Sequence, residues 1–154
     1  MADVEELARL AIGCGLKIHQ QLGPGLLESV YETILARKLG SHGLKVERQV
    51  PIAIEYEDLA FGEGFRADLL VDDRLIVEVK SIDRLMPVHG KQLLTYLRLS
   101  GHTLGVLLNF GGATFREGIR RIVNNHPETA SSRLRVNRIP PPEPAPGRGL
   151  NARE

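Results

Sequence analysis

The segment Phe65-Arg66-Ala67-Asp68-Leu69-Leu70-Val71-Asp72-Asp73-Arg74-Leu75-Ile76-Val77-Glu78-Val79-Lys80 reads as a β-hairpin. Phe65, Ala67, Leu69 and Val71 alternate with Arg66, Asp68 and Leu70, the period of two that gives a strand distinct faces. Asp72-Asp73 carries turn chemistry, because short polar side chains tolerate the backbone of a tight connection. Beyond it Leu75, Val77 and Val79 point one way, and Ile76, Glu78 and Lys80 the other. A two-residue turn sets Asp68 opposite Val77 and diagonal to Glu78. Two carboxylates and an ammonium group therefore converge on one patch of an apolar hairpin.

Upstream, Leu44, Val46, Val50, Ile52, Ile54 and Tyr56 alternate as an earlier strand that ends at Glu57-Asp58, and Pro51 marks an edge or a bulge. Two helices precede it. Val4, Leu7, Ala8, Ala11, Ile12, Gly15 and Leu16 recur at helical spacing and predict a helix over 3–21, broken by Gly23-Pro24-Gly25. Leu27, Val30, Tyr31, Ile34 and Leu35 form one face of the next, with Gly40 and Gly43 stopping it. Downstream, Pro87 starts a helix over 87–100 with Leu93, Leu94 and Leu97 inward, and Gly101 ends it. Leu104 to Phe110 is an apolar strand of the kind buried on both faces and parallel to a neighbour. The segment 118–123 fits either a strand or a short helix. A helix between the third and fourth strands implies a right-handed crossover, so the fold class is α/β, a mixed sheet flanked by helices.

The 154 residues suit one domain, and 20 basic against 19 acidic side chains leave a net charge of +1. With 42% hydrophobic and 25% charged residues, the composition excludes a wholly disordered chain. The longest apolar run is strand-sized, far short of the roughly 20 residues of a membrane helix. Met1-Ala-Asp-Val-Glu-Glu lacks the basic start and apolar stretch of a signal peptide, so a cytoplasmic protein is expected. A single cysteine, Cys14, excludes an internal disulfide and a thiolate-rich zinc site. Charge is unevenly spread: residues 1–115 hold 12 basic and 15 acidic side chains, whereas 116–154 hold 8 Arg and 4 Glu. The expected organisation is one folded domain over 1–125 and an Arg/Pro-rich flexible tail over 126–154.

Burying unpaired charge is expensive, so Glu78 and Lys80 inside Leu-Ile-Val-Glu-Val-Lys call for a reason. One is structural: an Asp–Lys–Glu ion pair, or a strand whose charged face meets water. The other is a site for a hard cation. Carboxylate oxygens of Asp68 and Glu78, with a backbone carbonyl such as that of Val79, suit Mg²⁺, which keeps waters for a substrate phosphate. Lys80 would then orient or deprotonate the attacking water and offset transition-state charge.

These residues fall within a wider pattern. Gly25-Leu-Leu-Glu28-Ser-Val-Tyr31, Phe-Arg-Ala-Asp68, Glu78-Val-Lys80, Val-His89 with Gln92-Leu-Leu-Thr-Tyr96, and Leu-Asn109-Phe110 follow one another in order. Over about residues 10–123 the chain resembles the bacterial GxxExxY proteins, a branch of the PD-(D/E)XK nuclease-like superfamily. The resemblance implies a restriction-endonuclease-like α-β-β-β-α-β core, here with an extra N-terminal helix. It also implies metal-dependent hydrolysis of phosphodiester bonds in DNA, less so RNA, with Mg²⁺ or Mn²⁺ as cofactor. Asp68 resembles the first metal-binding acid, Glu78 the second, and Lys80 the catalytic lysine. Glu28 resembles the additional helical acid that completes the metal shell, and Gln92 and Tyr96 the Q-x-x-x-Y pair that supports the site and touches DNA. His89, Gln92 and Tyr96 share one helical stripe, and Arg120 and Arg121 are candidates for backbone phosphate. Ala67 stands where many members have Pro. The other reading is a catalytically inactive nuclease-fold module that binds nucleic acid or a protein partner. With no recognition domain beyond the core, holding a duplex calls for a homodimer or an accessory protein.

Overall fold

The computed structural model describes residues 2–125; the expected tail over 126–154 lies outside them. Helix α1 (Val4–Leu22) starts with Asp3 and Glu6 in a reciprocal capping box, which satisfies two otherwise orphaned N–H groups. Gly23, at φ 72°, ends it. Helix α2 is Glu28–Ser41, and the sheet strands are β1 (Val46–Tyr56), β2 (Leu59–Val71) and β3 (Leu75–Lys80). Helix α3 (Pro87–Ser100), β4 (Leu104–Asn109), a short 3₁₀ turn and β5 (Ile119–Val123) follow. The open C-terminal segment is thus a strand. Among the described residues no helix is long and apolar enough to cross a membrane.

Among the described residues the five strands lie in sequence order, and only β3 and β4 run parallel, joined through α3 as expected from the two-sided burial of Leu104–Asn109. Pro51 lies in the edge strand β1, where its missing N–H costs no central ladder bond. Helices α1 and α2 cover one face of the sheet over a core of Leu7, Ile18, Tyr31, Leu35, Leu69, Val77 and Val106. Helix α3 covers the other, with Leu93 and Leu97 against Leu70, Ile76 and Leu107.

Two expectations are corrected. The β2–β3 connection has three residues, Asp72 to Arg74, with Asp72 and Asp73 both in left-handed backbone (φ 49° and 57°). Leu69 therefore pairs with Val77 and Leu70 with Ile76, one position from the expected register. Continuing that register places Asp68 level with Glu78 rather than diagonal to it. The inward face of α2 also differs: Tyr31, Glu32, Leu35, Ala36 and Leu39 are buried, while Leu27 (74% exposed) and Val30 face outward.

Besides a register shift between Ile52 and Ile54, the β1–β2 ladder breaks at the level of Gln49. Arg48 pairs with Leu69 and Val50 with Ala67, but Gln49 and Asp68 between them do not pair, and Gln49 sits at φ 50°. On one side of this break, Leu69 and Val71 join the α1/α2 core; on the other, Ala67 and Phe65 join the α3 core. The hairpin thus passes from one layer to the other at Asp68, where β2 also parts from β3.

Candidate active site

Asp68 stands at that fork. Its Oδ2 accepts the Val79 backbone N–H at 2.8 Å, taking the place of a strand partner that β2 no longer supplies. A strand residue turns its N–H and C=O to the same side, so the Val79 carbonyl also faces Asp68. The other carboxylate oxygen, Oδ1, accepts from Gln49 Nε2 at 3.3 Å.

Glu78 lies beside Asp68 on β3 and is only 7% exposed. Burial, then the charge of Asp68 and a hydrogen bond to its side chain, push its carboxyl from the ordinary 4.5 up to about 9, against smaller opposing pulls from the Asp68 backbone N–H and from Lys80. Its Oε1 is buried without a hydrogen-bond partner. A buried oxygen left unpaired, next to a second carboxylate, is costly in an apolar strand. A divalent cation would relieve both penalties, so Asp68, Glu78 and the Val79 carbonyl fit such an ion in donor type. Asp68 and Glu78 form a pair and not a triad: among the described residues no three Asp, Glu, His or Cys side chains cluster as a cation cage.

Lys80 is half-buried at the end of β3, level with Asn109 of β4. The loop after it is held on both sides. Asn109, 1% exposed, accepts the Ile82 N–H through Oδ1 at 3.0 Å and donates from Nδ2 to the Ile82 carbonyl at 2.8 Å. Gly111 passes so close to Ile82 that a Cβ would sit 2.4 Å from its backbone. The Ser81 hydroxyl donates to the Leu26 carbonyl at 2.6 Å, docking the start of α2 against the end of β3. Glu28 is the first residue of α2 and is exposed. The Tyr31 hydroxyl donates to the Gly23 carbonyl and accepts the Leu26 N–H, stapling the turn that precedes Glu28.

On α3, Tyr96 stacks on Phe65 (centroids 4.1 Å, 4° between planes). Burial raises its hydroxyl pKa, with further contributions from the charges of Glu78 and Asp68. Gln92 is exposed on the same helix. His89 accepts the Met86 N–H on Nδ1 at 2.8 Å and so caps the start of α3. The two arginines diverge. Arg120 pairs with Leu107, which pairs with Glu78, so all three share a sheet face two strands apart, about 10 Å at the backbone. Arg121 belongs to the opposite face and is bound to Glu5 of α1.

Two residues escaped the sequence reading. Glu32, 5% exposed, accepts from Gln49 Nε2 on both carboxylate oxygens (3.0 and 2.9 Å) and from Arg48 Nε at 3.4 Å. Glu32 shares a helical stripe with buried Ala36 and Leu39, and a carboxylate on such a stripe was the available signal.

An acid pair and a lysine thus stand together at a strand fork between the helical layers of an α/β fold. The chain belongs to the PD-(D/E)XK nuclease superfamily, whose family model matches residues 5–122. No curated protein and no solved structure matches it.

Proposed function

We propose that this chain is a divalent-cation-dependent nuclease that hydrolyses phosphodiester bonds in DNA in preference to RNA, within the GxxExxY branch of its superfamily. The observation that carries the reading is the buried, unpartnered Oε1 of Glu78 beside Asp68. Asp68, Glu78 and the Val79 carbonyl hold the cation, and Glu28 adds a third carboxylate directly or through water. Bound Mg²⁺ or Mn²⁺ supplies Lewis acidity at the phosphate and a water of lowered pKa. Lys80 orients the attacking water and offsets charge that builds on the phosphoryl oxygens. Tyr96 and Gln92 brace the site and contact the strand, His89 extends that stripe, and Arg120 holds backbone phosphate on the same face. Arg121 stands on the opposite face with Glu5, away from this surface. A second copy or an accessory protein completes the grip on a duplex.

The test compares the wild type with Asp68→Ala and Lys80→Ala on single- and double-stranded DNA and on RNA, with Mg²⁺, Mn²⁺ or EDTA. Cleavage that needs the cation and falls by at least about 100-fold in both variants is expected. Equal activity in all three proteins overturns the assignment. Nucleic-acid binding without cleavage by any of them selects the inactive module instead.

A further inference from the structure

Four non-glycine residues among those described have left-handed backbone: Gln49, Glu57, Asp72 and Asp73. The last three lie in turns, whereas Gln49 lies within β1. Glutamine gains nothing intrinsic from this conformation, so its surroundings must impose it. The consequence is local. Where the β1–β2 ladder skips Gln49 and Asp68, the Gln49 amide sits between α2 and β2, touching both oxygens of Glu32 and Oδ1 of Asp68.

Glu32 is a buried carboxylate that the proposed chemistry does not use, and its position on α2 is set by the Tyr31 and Leu35 packing on either side. It anchors the Gln49 amide, and the amide in turn restrains Asp68. With Oδ2 fixed by the Val79 N–H and Oδ1 by Gln49, both oxygens of Asp68 are held, yet each keeps a lone pair. A ligand held in its binding orientation loses less freedom when the ion arrives, and it keeps the donor set geometrically selective.

We propose that Gln49 is a positioning residue for the cation site, anchored by Glu32, which presets the Asp68 carboxylate for the ion. This rests on the cation-binding reading above. Two variants keep the left-handed backbone accessible while removing the bridge: Gln49→Gly deletes the amide, and Gln49→Asn keeps an amide one carbon too short to span Glu32 and Asp68.

The experiment measures Mn²⁺ binding to the full chain by calorimetry for the wild type and both variants, with thermal melts in EDTA beside it. The expected result is Mn²⁺ affinity weakened by about 10-fold or more in both variants, whereas Leu7→Ala, a core truncation in α1 that lowers the EDTA melt as loss of the Glu32 partner does, keeps the wild-type affinity. That comparison separates positioning from support of the fold, which would weaken Mn²⁺ binding in any variant with a lowered EDTA melt. Wild-type affinity in Gln49→Gly overturns the proposal while leaving the cation site intact. An equal affinity loss in Leu7→Ala also overturns it, in favour of a structural role. Absence of Mn²⁺ binding by the wild type overturns the cation reading itself, and this inference with it.

Discussion

Replacing Glu78 with glutamine should stabilise the metal-free protein. In the folded chain the Glu78 carboxyl keeps its proton to about pH 9, whereas in the unfolded chain it loses it near the ordinary 4.5. The folded state therefore binds the extra proton between these values, and stability falls as pH rises through the window, by about 1.4 kcal/mol per unit. At about pH 7.5 this amounts to about 4 kcal/mol relative to a neutral side chain of the same shape, less whatever the pocket recovers by rearranging. Glutamine is that side chain, and its amide can donate to Asp68 as the protonated acid does. Urea unfolding in EDTA at about pH 6, 7 and 8 checks this: with a slope near 2 kcal/mol per M, the midpoint of Glu78→Gln should lead the wild type by up to about 2 M at the upper end. The lead should shrink as pH falls. Adding Mn²⁺ should reverse the order, because only the wild type gains binding energy on folding, after releasing its proton. A Glu78→Gln protein that is less stable in EDTA at neutral pH, or a difference that does not vary with pH, refutes the reasoning.

Two further outcomes follow from the packing and the sheet faces. Asn109→Leu should destabilise the chain by about 2 kcal/mol in equilibrium unfolding, since it strips partners from the half-buried Ile82 amide and carbonyl and from the Gly111 N–H. Arg120→Ala should weaken DNA binding and lower the salt dependence of the binding constant by about one counterion, whereas Arg121→Ala, on the far face with Glu5, should leave both unchanged in a fluorescence titration.

The features legible in the sequence are those that periodicity controls. The apolar Leu104–Asn109 run announced a strand buried on both faces, and the helix before it required the parallel partner that β3 provides. Periodicity does not count turn residues. Arg74 continues the polar signal of Asp72-Asp73 and belongs to the turn, and that single residue moves Asp68 from a diagonal position to one level with Glu78. Leu27 and Val30 illustrate a second limit: apolar residues on a helix can face outward when the chain enters from a turn stapled elsewhere, here by Tyr31. Gln49 was hidden altogether, because a left-handed residue inside a strand follows from tertiary packing and glutamine has no preference for it.

The break at Gln49 and Asp68 links the architecture to the proposed chemistry. A regular ladder would send Asp68 to a sheet face, where water or a lysine would satisfy it, and Val79 would pair with β2. Instead the hairpin changes layers at this level, β2 leaves β3, and the Val79 N–H is met by Asp68 itself. The same departure leaves Glu78 covered by the α3 layer with an oxygen that no protein donor reaches. The irregularity that divides the two cores therefore also creates the paired, desolvated acids. Straightening β1 at Gln49 would be expected to cost the cation site before it cost the fold, because most of the buried apolar surface lies to either side of the break and not at it.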